Sequence, residues 1–183
     1  MNAGKSTSLL QSNHNYKVRN LKTYIFAPKV DAEFHQGKIH SRLGVEEKAN
    51  VFDESFNFYE YFKDKKTKKI SCILVDEAQF LTELQVKELC NVCDKFNIPV
   101  MCYGIRTDFQ GKLFEGSQEL LALADNLKEL KTICSMCDKK ATMVVRLDSS
   151  GKVLLKGEKI VIGGNDIYKT LCRKHFRELT KLI

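Results

Sequence analysis

The tripeptide Gly4-Lys5-Ser6 is the feature that most narrows the fold of this chain. It matches the end of a phosphate-binding loop, in which a glycine turn directs backbone N–H groups at phosphates, a lysine contacts the β and γ oxygens, and a hydroxyl ligates Mg²⁺. Such a loop connects a buried strand to a helix, and residues 7–20 have the pattern of that helix. A chance Gly-Lys-Ser in an unstructured N-terminus is the alternative. We expect a genuine loop and a chain that lacks the first strand and the first loop glycine, through truncation or a misassigned start.

Strands and helices alternate along the first 133 residues. Residues 70–75 form a continuous apolar run, which is typical of a parallel strand covered on both faces. We expect strands at 22–27, 70–75, 99–104 and 127–133, helices at 52–62, 84–96 and 116–125, and a long polar loop at 28–49. The alternation predicts an α/β fold with a parallel sheet and right-handed crossovers.

The sequence changes character after residue 133. Short β-like runs at 141–147 and 152–155 surround cysteines, and the remaining piece is about the size at which a domain needs a metal ion or disulfides. We therefore predict two domains, a nucleotide-binding domain at 1–133 and a zinc-binding domain at 134–183.

Two knuckles in the second region offer four zinc ligands. Cys134 and Cys137 form one C-x-x-C knuckle, and Cys172 and His175 form the second, 34 residues after the first. Three thiolates and one imidazole make a tetrahedral set with no open position, which predicts a structural Zn²⁺. Chance pairing of free cysteines is the alternative. The further C-x-x-C at residues 90–93 lies within a predicted amphipathic helix, and we interpret it as helix packing.

Two carboxylates follow the apolar strand at 70–75. A carboxylate at the carboxyl end of such a strand is where a P-loop enzyme holds Mg²⁺, and Asp76 fits that role. Glu77 beside it fits a base that removes a proton from an attacking hydroxyl. The alternative is that both residues merely cap the following helix.

A glycine pair lies between the two zinc knuckles. Gly163 and Gly164 let the backbone approach a ligand closely, and Tyr168 supplies a planar face four residues later. This pattern favours a ligand-binding loop, and the alternative is a plain turn.

Composition narrows the classes of partner. The net charge is +7, but acidic residues are interspersed among the lysines and no aromatic residues alternate with them, which favours a solvated surface over a nucleic-acid interface. No apolar run is long enough to span a membrane, and no signal peptide is visible. Seven cysteines without a secretory signal indicate metal ligation or reduced thiols, so we expect a cytoplasmic protein that binds neither nucleic acid nor membrane.

Taken in order, these motifs resemble those of the type II thymidine kinases, bacterial branch. The resemblance rests on residues 1–7, 74–81, 103–109, 113–114 and 161–175, and it covers nearly the whole chain. Its most specific parts are the Asp-Glu-x-Gln-Phe block at residues 76–80 and the glycine loop, called the lasso in this family, beside the zinc knuckles. The resemblance implies a P-loop (RecA-like) core with a small zinc-binding lasso domain.

The resemblance also implies an activity and a set of residues. The activity is ATP-dependent phosphorylation of the thymidine 5′-hydroxyl, with Mg²⁺ bound to ATP and Glu77 as catalytic base. Nucleotide binding is implied for Met1, Asn2, Ala3, Gly4, Lys5, Ser6, Thr7, Asp76, Glu77, Ala78 and Gln79. Thymidine binding is implied for Phe80, Phe109, Phe114, Lys159, Ile160, Val161, Ile162, Gly163 and Tyr168.

Regulation and assembly follow from the same resemblance. Members of this family are typically homotetramers that thymidine triphosphate inhibits, so we expect both properties here. The competing hypothesis is a zinc-ribbon module on a P-loop domain that acts on nucleic acid. That hypothesis needs a basic surface with interleaved aromatic residues, which the sequence does not offer. A weaker third hypothesis is another small-molecule kinase on the same core.

Overall fold

The computed structural model describes residues 3–34, 38–40, 44, 46–65, 69–158, 161 and 167–182. The chain divides into two compact units. The first comprises Gly4–Gly104 and Glu115–Asn126, and the second comprises Ile105–Phe114 together with the described residues from Leu127 onward. The boundary predicted at residue 133 stays a prediction.

In chain order the elements of the first unit are α1 (Lys5–Lys17), β1 (Thr23–Pro28), α2 (Lys29–Phe34), β2 (Lys38–His40), β3 (Glu46–Lys48), β4 (Asn50–Phe52), α3 (Phe58–Lys63), β5 (Cys72–Val75), a 3₁₀ turn (Ala78–Phe80), α4 (Glu83–Phe96), β6 (Val100–Cys102) and α5 (Glu115–Leu123). Four of these strands form a parallel sheet in the order β4-β1-β5-β6. The predicted α/β fold with a parallel sheet is therefore confirmed.

Burial on both faces explains the apolar run of β5. Its four residues are all fully buried. Ile73 and Val75 pack in the core cluster that contains α3 and α4 side chains, whereas Cys72 and Leu74 pack with Leu9 of α1. Successive strand residues point to opposite faces, so one four-residue strand contributes to two cores.

Helix α4 begins and ends at strong local signals. Thr82 and Gln85 form a reciprocal capping box at its N-terminus, and Asn97 ends it in the left-handed conformation. These signals fix the helix predicted at 84–96 close to its observed bounds.

Three sequence predictions need correction. Residues 28–49 are not one loop in their described part, because they contain α2 and the antiparallel pair β2–β3, where Ile39 is buried. The helix predicted at 52–62 begins only at Phe58, after β4. The strand predicted at 127–133 is reduced to two residues outside the parallel sheet, and Leu127 and Ile133 are exposed. Apolar residues there recur every third position, which neither face of a strand can bury.

The elements of the second unit are β7 (Thr132–Ile133), β8 (Lys140–Ala141), β9 (Met143–Leu147), β10 (Val153–Leu154), β11 (Tyr168–Leu171) and α6 (Arg173–Thr180). Strands β10, β9 and β11 form an antiparallel sheet in that order, and β7 pairs with β8. Val145, Leu171 and Phe176 are fully buried at the centre of its small core.

No helix in the described part of the chain is long and apolar enough to cross a membrane.

Candidate functional site

The described end of the phosphate loop leads directly into α1. Gly4 precedes the helix with φ of +72°, a left-handed conformation that glycine adopts without steric cost, and its carbonyl accepts a hydrogen bond from Ser8 N at 2.8 Å. Lys5, Ser6 and Thr7 form the first turn of α1. The helix predicted at 7–20 is present, but it begins two residues earlier, at Lys5, and ends at Lys17. Ala3 lies in a bend before Gly4, and the predictions for Met1 and Asn2 lie outside the described residues.

The hydroxyl of Ser6 meets the first carboxylate after β5. Ser6 Oγ donates a hydrogen bond to Asp76 Oδ2 at 2.9 Å, although 70 residues separate the two. Asp76 Oδ1 accepts from the backbone N–H of Glu77 at 3.0 Å. Asp76 is only 3% exposed, and burial together with the neighbouring Glu77 charge raises its pKa to about 6, against the lowering effects of Ser6 and Lys5. The Ser6 hydroxyl and the buried Asp76 carboxylate, which contact each other, are hard-oxygen ligands of the kind that Mg²⁺ prefers.

Glu77 occupies an unusual backbone conformation at this site. Its φ is +46° and its ψ is +43°, and its side chain does not cap the 3₁₀ turn that follows. A left-handed glutamate is uncommon, and such strain is retained where the surrounding structure fixes a side chain. The alternative that Glu77 is only a helix cap is therefore disfavoured.

Two side chains hold the Glu77 carboxylate. Lys5 Nζ lies 3.5 Å from Oε1, and Gln79 Nε2 donates to Oε2 at 2.6 Å. The Lys5 and Glu77 side chains are both partly exposed, so ligands can reach them. The arrangement places a cation, a hydroxyl and two carboxylates together at the carboxyl end of β5.

The remaining residues of the Asp-Glu-x-Gln-Phe block form the 3₁₀ turn. Ala78 and Gln79 are buried, and Ala78 N donates to Tyr103 O at 2.8 Å, which ties the turn to the segment after β6. Phe80 is partly exposed at the end of the turn. The Gln79 side chain contacts a candidate catalytic group, the Glu77 carboxylate.

Phe109 and Phe114 belong to the second unit, where both are buried. Phe109 sits in a tight turn whose shape depends on Asp108, because Asp108 Oδ1 accepts from Gln110 N and Lys112 N, each at 2.9 Å. This side-chain-stabilised turn gives Phe109 a fixed backbone.

The lasso is described at two of its predicted ligand-binding residues. Tyr168 begins β11, and its hydroxyl donates to Val161 O at 2.8 Å. The predictions for Lys159, Ile160, Ile162 and Gly163 lie outside the described residues.

The four predicted zinc ligands converge. Their ligand atoms all lie within 4.8 Å of one another, with His175 Nδ1 at 3.3 Å from Cys134 Sγ and 3.5 Å from Cys172 Sγ, and Cys137 Sγ at 3.9 Å from Cys172 Sγ. Three soft thiols and one imidazole nitrogen fit Zn²⁺ in number and kind. The predicted Cys₃His cluster is confirmed as a group that is compatible with a structural metal ion.

Outer contacts orient two of these ligands. His175 turns Nδ1 toward the thiols, and its Nε2 lies 3.9 Å from Glu178 Oε2 on the outer side. Cys134 Sγ accepts from Met136 N at 3.4 Å. Burial acts to raise the pKa of Cys134, but the His175 hydrogen bond and backbone N–H groups outweigh it and lower the pKa to about 6. A depressed thiol pKa favours the thiolate that binds metal.

Sequence reasoning missed several residues that shape these sites. Asp108 could have been found, because Asp-x-x-Gly is a turn signal. Ser12 and Tyr103, whose hydroxyls lie 3.1 Å apart, carry no local signal, since 91 residues separate them. Arg146 is 4% exposed, and a lone arginine in a strand gives no indication of burial.

Comparisons with known proteins agree with the geometry. The family model described as thymidine kinase matches residues 1–176. The chain is similar to thymidine kinases of Shewanella oneidensis (54% identity; 97% of this chain and 93% of the relative), Rhodopirellula baltica (53%; 97% and 84%) and Colwellia psychrerythraea (51%; 100% and 95%).

Proposed function

The chain belongs to the thymidine kinase family, and we propose that it transfers the γ-phosphate of ATP to the 5′-hydroxyl of thymidine, which gives thymidine monophosphate for DNA synthesis. The observation that carries this proposal is the grouping of Lys5, Ser6, Asp76 and Glu77 at the end of β5. Family membership names the substrates, and this grouping supplies the chemistry for phosphoryl transfer.

Nucleotide binding is assigned to the phosphate loop. Met1 to Thr7, which lead into α1 and include its first turn, hold the triphosphate through backbone N–H groups, and Lys5 contacts its β and γ oxygens. Ser6 Oγ and Asp76 Oδ2, which lie 2.9 Å apart, would hold the Mg²⁺ that accompanies ATP. When bound, Mg²⁺ neutralises charge on the phosphoryl oxygens.

Glu77 is the proposed catalytic base. Its carboxylate is held from one side by Gln79 and from the other by Lys5, and its backbone is fixed in the left-handed conformation. Lys5 turns to the phosphates when ATP binds, which leaves Oε1 free to accept the proton of the 5′-hydroxyl. The hydroxyl oxygen attacks the γ-phosphorus, the bond from that phosphorus to the bridging oxygen breaks, and ADP leaves.

Thymidine recognition is assigned to aromatic walls and a backbone loop. Phe80, Phe109 and Phe114 pack against the base, Tyr168 closes over the nucleoside, and residues 159–163 read the thymine edge through backbone groups. A backbone reader discriminates well when it is rigid, because a wrongly bonded base leaves buried polar atoms unpaired. The Tyr168–Val161 hydrogen bond supports such rigidity.

Zn²⁺ has a structural role in this proposal. Cys134, Cys137, Cys172 and His175 would supply all four ligands of a structural Zn²⁺, which would leave none of its usual four positions for substrate. The ion would hold the segment after β7, the end of β11 and α6 together.

Assembly, regulation and compartment extend the proposal. We infer a homotetramer, feedback inhibition by thymidine triphosphate, and a cytoplasmic location without nucleic-acid or membrane partners. The location is supported by the seven cysteines, none of which forms a disulfide. Size-exclusion chromatography with light scattering and inhibition kinetics test the first two properties.

The central experiment measures formation of thymidine monophosphate from thymidine, ATP and Mg²⁺ with the purified chain, its Glu77→Gln variant and a matched Glu83→Gln control. Glu77→Gln should lower kcat by roughly 10²–10⁴, the usual contribution of a general base. The control removes an exposed carboxylate from the first turn of α4, and its kcat should equal that of the wild-type chain.

Single-turnover rates close to normal for Glu77→Gln would remove this residue from the mechanism. Thermal-shift measurements with thymidine and with an oligonucleotide discriminate the kinase from the nucleic-acid hypothesis, since stabilisation by the oligonucleotide alone would favour the latter.

A further inference from the structure

Arg146 is a buried cation that none of the roles assigned above uses. It lies on the central strand β9 of the second unit and is only 4% exposed. Its described partners are a backbone carbonyl and an aromatic ring. Burial of a guanidinium is costly unless its donors and charge are compensated, so those two contacts define what the side chain does.

The first contact lies at the entry to the lasso. Arg146 Nη1 donates to Glu158 O at 2.6 Å. On the other side of segment 159–166, Ile167 O accepts from Leu147 N at 2.8 Å. Both ends of the segment are thus attached to consecutive residues of β9, one by a side chain and one by the backbone.

The second contact involves the ring of Phe109. Arg146 Cζ lies 4.2 Å from the centroid of that ring, within the range of a cation–π interaction. A planar guanidinium can stack on a ring and donate in its own plane at the same time, which a lysine ammonium does less well. Arg146 therefore contacts the lasso entry and a predicted wall of the base pocket with one group.

Gly157 leaves the space that this arrangement needs. A Cβ added to Gly157 would lie 2.5 Å from Arg146 Nη2, and the residue has φ of +134°. The backbone passes so close to the guanidinium that a side chain at residue 157 would displace it. Tyr168 is the register partner of Arg146 across β9 and β11, so the Val161 contact is made from the adjacent strand.

We propose that Arg146 is a positioning residue for thymidine specificity, which fixes the lasso entry and the Phe109 ring relative to each other. This inference rests on the proposed function, because thymidine is the ligand whose site it positions. The guanidinium acts through its neighbours and has no role in phosphoryl transfer. Its loss should therefore weaken thymidine binding and leave the nucleotide site unchanged.

The test compares Arg146→Met, Arg146→Lys and a Lys152→Met control, which removes an exposed cation from the same unit. The measurements are kcat, the KM values for thymidine and ATP, the thymidine Kd by calorimetry, and zinc content. We expect Arg146→Met to raise the thymidine KM and Kd about tenfold or more, with the ATP KM within about twofold of wild type. Arg146→Lys should have thymidine KM and Kd values between those of wild type and Arg146→Met, and Lys152→Met should have wild-type values.

A double-mutant cycle with Gly157→Ala tests the geometry directly. In the wild-type background the added methyl group strains the backbone and also clashes with the guanidinium. In the Arg146→Lys background only the backbone strain remains. Gly157→Ala should therefore raise the thymidine Kd by a larger factor with Arg146 than with lysine. Should Arg146→Met not fold, this cycle decides the question.

Three results would overturn the proposal. The first is an unchanged thymidine Kd in a zinc-loaded Arg146→Met variant, and the second is a rise in its ATP KM as large as the rise in its thymidine KM. The third is a Gly157→Ala effect on the thymidine Kd that is the same with arginine as with lysine at residue 146. Failure of the proposed function is distinct, since it would appear as a wild-type chain that neither binds nor phosphorylates thymidine.

Discussion

Ser6 Oγ and Asp76 Oδ2 lie 2.9 Å apart at the carboxyl end of β5. The contact joins the first turn of α1 to a carboxylate that is almost completely buried. Burial and the adjacent Glu77 raise the Asp76 pKa to about 6. Ionisation of this carboxylate is therefore less favourable in the folded protein than in the unfolded chain. It costs stability, and that cost can be measured.

Asp76→Asn should stabilise the fold and abolish activity. The folded pKa of about 6 lies above the unfolded value of 3.8, so the contribution of Asp76 to stability is greatest below about pH 4 and is lost as the pH rises to about 6. At pH 7.5 without Mg²⁺ the variant should unfold with a free energy about 1–3 kcal/mol higher than wild type. The difference should shrink at pH 5, and turnover should fall to background. Urea melts at both pH values measure it.

Asp94→Asn is the matched control, since Asp94 is exposed on α4. Its stability should follow wild type at both pH values. A less stable Asp76→Asn at pH 7.5 would show that the ionised carboxylate contributes to the fold of the metal-free protein.

The sequence predicted most reliably what local patterns encode. The apolar run of β5, the helix spacing of α4 and the ligand spacing within each knuckle of the Cys₃His cluster are local patterns, and the structure agrees with all three. The position of the two carboxylates directly after β5 was also predictable, because the end of a parallel strand is a local feature of the sequence.

What the sequence could not predict depends on partners distant in the chain. Arg146 is buried because Phe109 and the Glu158 carbonyl surround it, and no single-residue pattern carries that information. Strands β2 and β3 are three residues long and mostly charged. Their pairing is accompanied by an ion pair between Lys38 and Glu46 and by burial of Ile39. Short charged strands of this kind have no periodicity to detect.

Glu88→Gln should increase stability at alkaline pH. Glu88 is 7% exposed, and its Oε2 accepts from Phe58 N at 2.9 Å at the start of α3. Burial raises its pKa above the ordinary value of 4.5, against the lowering effect of the Phe58 hydrogen bond. Its stabilising contribution is therefore present below pH 4.5 and is lost as the pH rises through the raised value. Glutamine keeps an acceptor without the charge, so its advantage in urea melts should be larger at pH 8 than at pH 5.

Glu88→Leu separates the charge from the hydrogen bond. It leaves the Phe58 N–H buried without its acceptor and should destabilise the fold by about 1–3 kcal/mol. If Glu88→Gln were as damaging as Glu88→Leu at pH 8, the charge itself would be stabilising and the pKa argument would fail.

Removal of zinc should unfold the second unit. We expect about one Zn²⁺ per chain by elemental analysis, and the Cys134→Ser variant should lose it, because a hydroxyl is a poor substitute for a thiolate ligand. Amide exchange in β9 and β11 should accelerate in Cys134→Ser or after chelation, while β1 and β5 stay protected. Cys93→Ser removes a thiol on α4 and should retain the metal. A metal-free native preparation with seven titratable thiols would contradict the assignment.

Tyr168→Phe should weaken thymidine binding through the loss of one hydroxyl. Tyr168 OH donates to Val161 O at 2.8 Å, and the ring remains in the variant, so only this contact with the lasso is removed. An intramolecular hydrogen bond contributes about 0.5–1.5 kcal/mol, which corresponds to a rise of roughly two- to tenfold in the thymidine KM. The ATP KM should stay the same, since Lys5, Ser6 and Asp76 are unchanged. Tyr59→Phe, which removes a hydroxyl from a ring stacked on Phe96 in the first unit, should leave both KM values at wild-type level. A loss in Tyr168→Phe that fell on ATP, or on kcat alone, would mean that this hydrogen bond does not hold the thymidine site.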